Sequence, residues 1–178
     1  MELTASTTTP LAPGTYTRSG FEPRITFALD ATDWYGVQLL TGFFDVQQDV
    51  GSPDVIAVQF ARPSTIFGAG GTEVQLTEAS AAEAALRQNP GLTVTGASPS
   101  TIGGLDGYVI EVENTTVDAA RVMRVPPGPL SILKGRKLWI AVFDTASGVL
   151  AIMVGGSIAK WDATLLAAEP VLESIHIG

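Results

Sequence analysis

The chain contains no cysteine. That excludes disulfides, thiolate nucleophiles and cysteine-ligated metals, but it leaves the compartment open, because bacterial extracytoplasmic domains also do without cysteine. Histidine is nearly absent too: His176 is the only one. A Ser-His-Asp site would have to pair it with Ser174, two residues away in what reads as a strand, and no Gly-x-Ser-x-Gly elbow is present. Opposite Ile175 and Ile177, His176 reads as a solvated strand residue, and a zinc site lacks ligands. Phe67 to Thr72 is glycine-rich but has neither the Gly-Lys-Ser/Thr ending nor the Gly-x-Gly-x-x-Gly spacing of a phosphate loop, and no calcium loop occurs. We therefore expect no cofactor, no metal and no catalytic residues. Basic excess is missing as well. A net charge of −8 disfavours nucleic acid as a partner for the surface as a whole. The longest apolar runs are about six residues, against roughly 18 for a membrane-spanning helix. Met1 to Pro10 has neither a basic nor an apolar signal-peptide region. Either the protein is cytoplasmic, or a leader has been removed and the domain is secreted or tethered at the cell surface.

What is present is apolar: 46% of residues are hydrophobic and only 16% charged, far from the signature of disorder. The richest stretch is Lys137 to Val154. Leu138 to Phe143 and Val149 to Val154 are two six-residue apolar runs separated by five residues, and they read as strands of a hairpin. Neither alternates with polar residues, so both faces must be covered.

Around that hairpin the chain divides into a flexible lead-in, 1–13, rich in Thr, Ser and Pro, and one α+β domain over 14–178. Thr15 to Thr17 and Arg24 to Leu29 form a hairpin around the Ser19-Gly20 turn. Gly42 to Gln47 and Asp54 to Phe60 are further strands, and Pro63 to Thr72 is a loop. Ala81 to Leu86 is a helix, with Ser80 and Glu83 matching a capping box. Leu92 to Ala97 is a short strand. Tyr108 to Glu113 alternates with Tyr108, Ile110 and Val112 inward, and Ala119 to Val125 pairs back on it. Pro126 to Pro129 breaks the sheet. Ile158, Trp161, Leu165, Ala168 and Leu172 step by three and four as an apolar helical stripe, with Pro170 kinking or restarting the last turn. The predicted architecture is one large antiparallel β-sheet flanked by two main helices.

The order of pieces resembles a known family. Pro13 to Thr17, Phe21-x-Pro23-x-Ile25-Thr26-Phe27, the turn Ile102 to Gly107 before a strand, the two long apolar strands, and a helix running into Glu173 to Ile177 are similar to the PsbP-like fold. Within it they look like small bacterial lipoprotein domains of the LpqN type and related secreted domains. The resemblance implies a PsbP-like sandwich over about residues 13 to 178. It also implies a non-catalytic, extracytoplasmic accessory or binding role, with no catalytic motif to carry over.

Two sets of residues stand out as binding candidates. Arg121, Arg124, Lys134, Arg136 and Lys137 are five of the ten basic residues, within seventeen positions free of Asp and Glu. Arg124, Lys134, Arg136 and Lys137 flank the proline loop and would gather a small anionic ligand or an acidic protein. Otherwise they form a solvated edge whose charges keep other strands away. The alternative function is then a cytoplasmic enzyme or enzyme subunit acting on a small anionic substrate through 121–137. Trp34 and Tyr35, close to Phe43 and Phe44, mark a binding groove if exposed and ordinary core if buried. Asn114-Thr115-Thr116 also matches a glycosylation acceptor.

Overall fold

The computed structural model describes residues 1–126 and 128–178. β1 (Gly14–Thr17) and β2 (Ile25–Leu29) form the expected hairpin, with Ile25, Phe27 and Leu29 buried by the two-residue period. β3 (Tyr35–Leu40), β4 (Phe43–Gln48) and β5 (Ile56–Ala61) form a meander. The stretch expected as a loop over 63–72 instead holds β6 (Thr65–Phe67), which leads through a single 3-10 turn to β7 (Glu73–Gln75). Its three residues are all buried, so it is a strand too short to show a period. α1 (Ala81–Arg87) follows. β8 (Thr93–Ile102) and β9 (Leu105–Asn114) then join through Gly103 and Gly104, both at positive φ, as a two-residue hairpin turn requires. β10 (Ala119–Val125), β11 (Gly128–Leu133), β12 (Arg136–Thr145), β13 (Gly148–Ser157), α2 (Trp161–Glu173) and β14 (His176–Ile177) complete the chain.

The expected large antiparallel sheet is present, and among the described residues two smaller sheets accompany it. A seven-stranded antiparallel sheet runs β3-β4-β5-β13-β12-β9-β8, with β1-β2-β14 and β11-β10-β6-β7 as separate smaller sheets. The apolar hairpin of β12 and β13 sits in the middle of the large sheet, with Ile140 opposite Met153 and Phe143 opposite Leu150. β10 does not pair back on β9, whose two edges are taken by β8 and β12. Asn114 directs the departure: fully buried, it donates to the carbonyls of Val117 and Ile132 and accepts from the N–H groups of Thr116 and Val117. A side chain so enclosed is not a glycosylation acceptor in the folded chain. The proline segment does not end the sheet structure at Pro129; Gly128 and Pro129 begin β11, opposite Val125 and Arg124. Pro127 lies outside the described residues.

The large sheet is covered on both faces, as its unbroken apolar strands require. One face carries Phe44, Phe60, Ala141, Phe143 and Ile152 beneath α2 and the β1-β2-β14 sheet. There the Phe44 and Phe60 rings stack 4.5 Å apart, with Phe27 5.4 Å from Phe60. The other face carries Ile110, Val112, Leu138, Ile140 and Met153 beneath α1 and the four-stranded sheet. The N-terminal strands thus lie with α2 on one face, and α1 lies on the other. Tyr108, expected inward with Ile110, is exposed, although it is paired within β9 between Pro99 of β8 and Val142 of β12.

Both helices differ in detail from expectation. Ser80 makes no capping hydrogen bond and Glu83 pairs with Arg87, so the capping box does not form. Asp144 of β12 instead accepts the N–H of Ala79 at 2.8 Å. In α2 the buried residues are Thr164, Ala168 and Val171, and the helix continues through Pro170 to Glu173. Trp161, Leu165 and Leu172 of the expected stripe are only half-buried. The buried line has rotated toward Gly156, whose missing side chain lets Thr164 reach the sheet.

Residues 1–13, expected as a flexible lead-in, lie against the domain. Leu3 and Leu11 are buried, and the N–H groups of Leu3, Ser6 and Leu11 donate to the carbonyls of Thr17, Gly36 and Trp34.

Candidate functional site

The basic residues singled out from the sequence do not converge. Along β12 the two-residue period sends Arg136 to the side of Leu138 and Ile140, and Lys137 to the opposite side with Trp139. Arg136 donates to the backbone carbonyls of Pro53 and Val55, each at 2.7 Å, and partial burial lowers its pKa. Lys137 lies 2.7 Å from a Glu111 carboxylate oxygen and 5.2 Å from the centre of the Trp161 ring, so one cation ties β9 and β12 to the start of α2. Arg124 grips Glu73 through two nitrogens, Nε at 2.8 Å from Oε2 and a terminal nitrogen on Oε1. That hydrogen bonding, with one from Thr65, holds the Glu73 carboxyl down to about 2. Arg121 sits over the Phe67 ring at 5.7 Å. Lys134 and Arg121 are both exposed with no ion-pair partner among the described residues, and the ring contact of Arg121 leaves Lys134 the less engaged of the two.

The aromatic candidates also separate. Trp34 is 1% exposed and belongs to the same core as Phe44, whereas Phe43 faces the opposite core and Tyr35 is half-buried. His176 is exposed on β14 opposite Thr26. Ser174 is occupied structurally: its Oγ accepts the N–H of Ala28 at 2.8 Å and donates to the carbonyl of Val171 at 2.8 Å, closing α2 onto β2. Among the described residues no three His, Asp or Glu side chains gather as metal ligands, and no helix is long and apolar enough to cross a membrane.

What the tertiary structure does create is a groove of about 620 Å³ beside α2. The helix packs on β2, β5 and β13. β12, β9 and β8 therefore extend past it, and the face they share with α2 is left open along the helix flank. Trp139, Ile102, Leu165 and Leu172 form the apolar part of this groove. Leu166 stands on its outer lip, 71% exposed. Ser100, Thr101 and Gly103, at the end of β8, make the opposite wall. Three carboxylates, Asp162, Glu169 and Glu173, also line it, with no lysine or arginine among the lining residues. None of the three has an ion-pair partner among the described residues.

The positions of Asp162, Leu166, Glu169 and Glu173 step by four, three and four along α2, which makes them one stripe beside the Trp161-Leu165-Leu172 stripe. From the sequence the second stripe reads as core. The signal available was Leu166, an apolar residue standing in an otherwise acidic stripe.

No family model matches the chain, and no curated protein matches it. Solved structures do. The solution structure of cyanobacterial PsbP from Synechocystis sp. PCC 6803 is similar over 99% of both chains, with a TM-score of 0.50 and 15% identity. The crystal structure of LpqN, involved in cell envelope biogenesis of Mycobacterium tuberculosis, matches over 92% of this chain and 90% of its own, with a TM-score of 0.48 and 13% identity. The chain has the PsbP-like α+β fold, as its order of elements predicted.

Proposed function

We propose that this chain is an extracytoplasmic accessory domain that binds its partner in the groove between α2 and the β8-β9-β12 end of the large sheet. The observation that carries the reading is the groove itself. It joins a half-buried tryptophan, an exposed leucine and two further helix leucines over about 620 Å³, and a concave apolar cleft edged by a few polar groups is the ordinary form of a binding site. The fold supports the reading by analogy, since members of the PsbP-like fold act mostly as accessory or binding proteins. The basic segment 121–137 offers less to an anionic substrate, because Arg124, Arg136 and Lys137 are each already engaged by groups of the protein on separate surfaces.

The test is to purify the protein from its native cells beside a Leu166→Glu variant and to compare what each retains by mass spectrometry. Leu166 is exposed, so the variant folds, and the groove loses its apolar lip. A retained molecule that disappears with the variant supports the groove; identical sets from both proteins overturn it. Fractionation of the same cells tests the compartment, and recovery of the native protein in the cytoplasm would remove the extracytoplasmic part of the proposal.

A further inference from the structure

Granted that the groove is the binding site, we propose that its occupant is a basic amphipathic helix of about three turns, presented by a partner protein. Length comes first. The lining residues of α2 run from Asp162 to Glu173, a span of about 16 Å at the helical rise, which is the length of about three turns of a second helix laid alongside. Chemistry comes next. A helix in a groove anchors through apolar residues at three- and four-residue spacing. Trp139, Leu165 and Leu172 supply the surface for such anchors, with Ile102 across from them.

Charge then selects the flanks of the occupant. Asp162, Glu169 and Glu173 are spread along the outer wall with no lysine or arginine lining the groove, and Lys137 of β12 is already committed to Glu111 and Trp161. An acidic or neutral helix entering here would leave three carboxylates partly desolvated without partners; lysine or arginine beside the apolar anchors removes that cost.

The alternative occupant is an extended strand added to β8, the end strand of the large sheet. β8 resists it. Ile102 and Leu105 close the two-residue turn as a paired position, and counting back by the antiparallel alternation places Pro99 where the backbone faces the open edge. Proline has no N–H to offer there, so the ladder of an added strand loses a donor at its centre.

The full chain is titrated by calorimetry with a synthetic fourteen-residue Leu/Lys peptide designed as an amphipathic helix. Two controls are run beside it: a twin with every Lys replaced by Glu, and a scrambled peptide of the same composition with no apolar face. The expected result is binding of the Leu/Lys helix alone, weakened by salt. The affinity should fall about tenfold or more with Asp162→Asn/Glu169→Gln/Glu173→Gln, and likewise with Leu166→Glu. Equal binding of the Glu twin would overturn the basic character while leaving the groove as the site. Equal binding of the scrambled peptide, with Leu166→Glu silent, would remove the groove as well. Absence of binding by the Leu/Lys helix overturns the proposal.

Discussion

Gly156 of β13 lies directly beneath Thr164 of α2, so close that a Cβ placed on the glycine would stand 2.9 Å from the threonine Cβ and nearer still to its Oγ1 and Cγ2. This contact sets the height and rotation of α2 on the sheet. It turns Thr164, Ala168 and Val171 inward and leaves Leu165, Leu166 and Leu172 along the groove. Gly156→Ala should push the helix outward and cost about 1–3 kcal/mol, read as a lower urea midpoint. Thr164→Ala should be partly compensatory in the Gly156→Ala background. Simple additivity of the two substitutions would show that the contact does not position the helix.

Glu73 and Arg124 clasp β7 to β10 at the rim of the four-stranded sheet. Because the folded-state pKa of Glu73 is depressed to about 2 from 4.5, its contribution is fully present above the unfolded value and is lost as pH falls from there toward 2. Urea midpoints measured across that acid range should drop for the native chain. In Glu73→Gln this portion of the drop should be missing; superimposable profiles would exclude the clasp as its source.

Asp45 has the opposite sign. It is fully buried where β3 and β4 shift register between Gly36 and Leu39. There it accepts the N–H of Gln38 at 2.7 Å and of the Gln47 side chain at 2.6 Å. Burial pushes its carboxyl up despite these bonds. The folded chain therefore holds this proton more tightly than the unfolded one, and the group's contribution to stability declines as pH rises through its folded pKa. Asp45→Ala should leave the part-buried donors of Gln38 and Gln47 without their acceptor and cost about 1–3 kcal/mol by chemical denaturation. Asp45→Asn should lose less and be free of the pH term. If alanine were tolerated without loss, water would have to serve the donors equally well.

Arg136 and Lys134 are two residues apart and should behave unlike each other. Arg136→Ala deletes charged hydrogen bonds to two backbone carbonyls of the segment before β5 and should cost about 1–3 kcal/mol. Lys134→Ala, at an exposed turn, should stay within about 0.5 kcal/mol. Thermal melts of the two variants separate them. Equal effects would mean that Arg136 is as free as Lys134.

Much of the architecture was local and therefore legible. The strands β2, β4, β5, β9, β12 and β13 each carry their own period or apolar run, and both helices carry theirs. The lack of any polar alternation in Leu138–Phe143 and Val149–Val154 was enough to require cover on both sides of the hairpin, and both sides are covered. β6 and β11 escaped because three buried residues, or a strand opening on Gly128 and Pro129, offer no period to detect. The number of sheets escaped because strand pairing is a competition for edges: β10 matches β9 in pattern, but β8 and β12 already hold both edges of β9.

For the candidate site the division is sharper. The order of residues determined that α2 would be amphipathic and that cations would cluster between 121 and 137. Whether those cations shared a surface depended on which face of β12 each one took and which carbonyl or carboxylate lay within reach, and these partners come from positions distant in the chain, Glu73, Glu111, Pro53 and Val55. The groove was less visible still. Its apolar stripe reads as core because a helix has no way to record in its own residues how far the sheet beneath it extends. Only the packing of Thr164 against Gly156, with β12, β9 and β8 running on past the helix, decided that Leu165, Leu166 and Leu172 face a groove instead of a core.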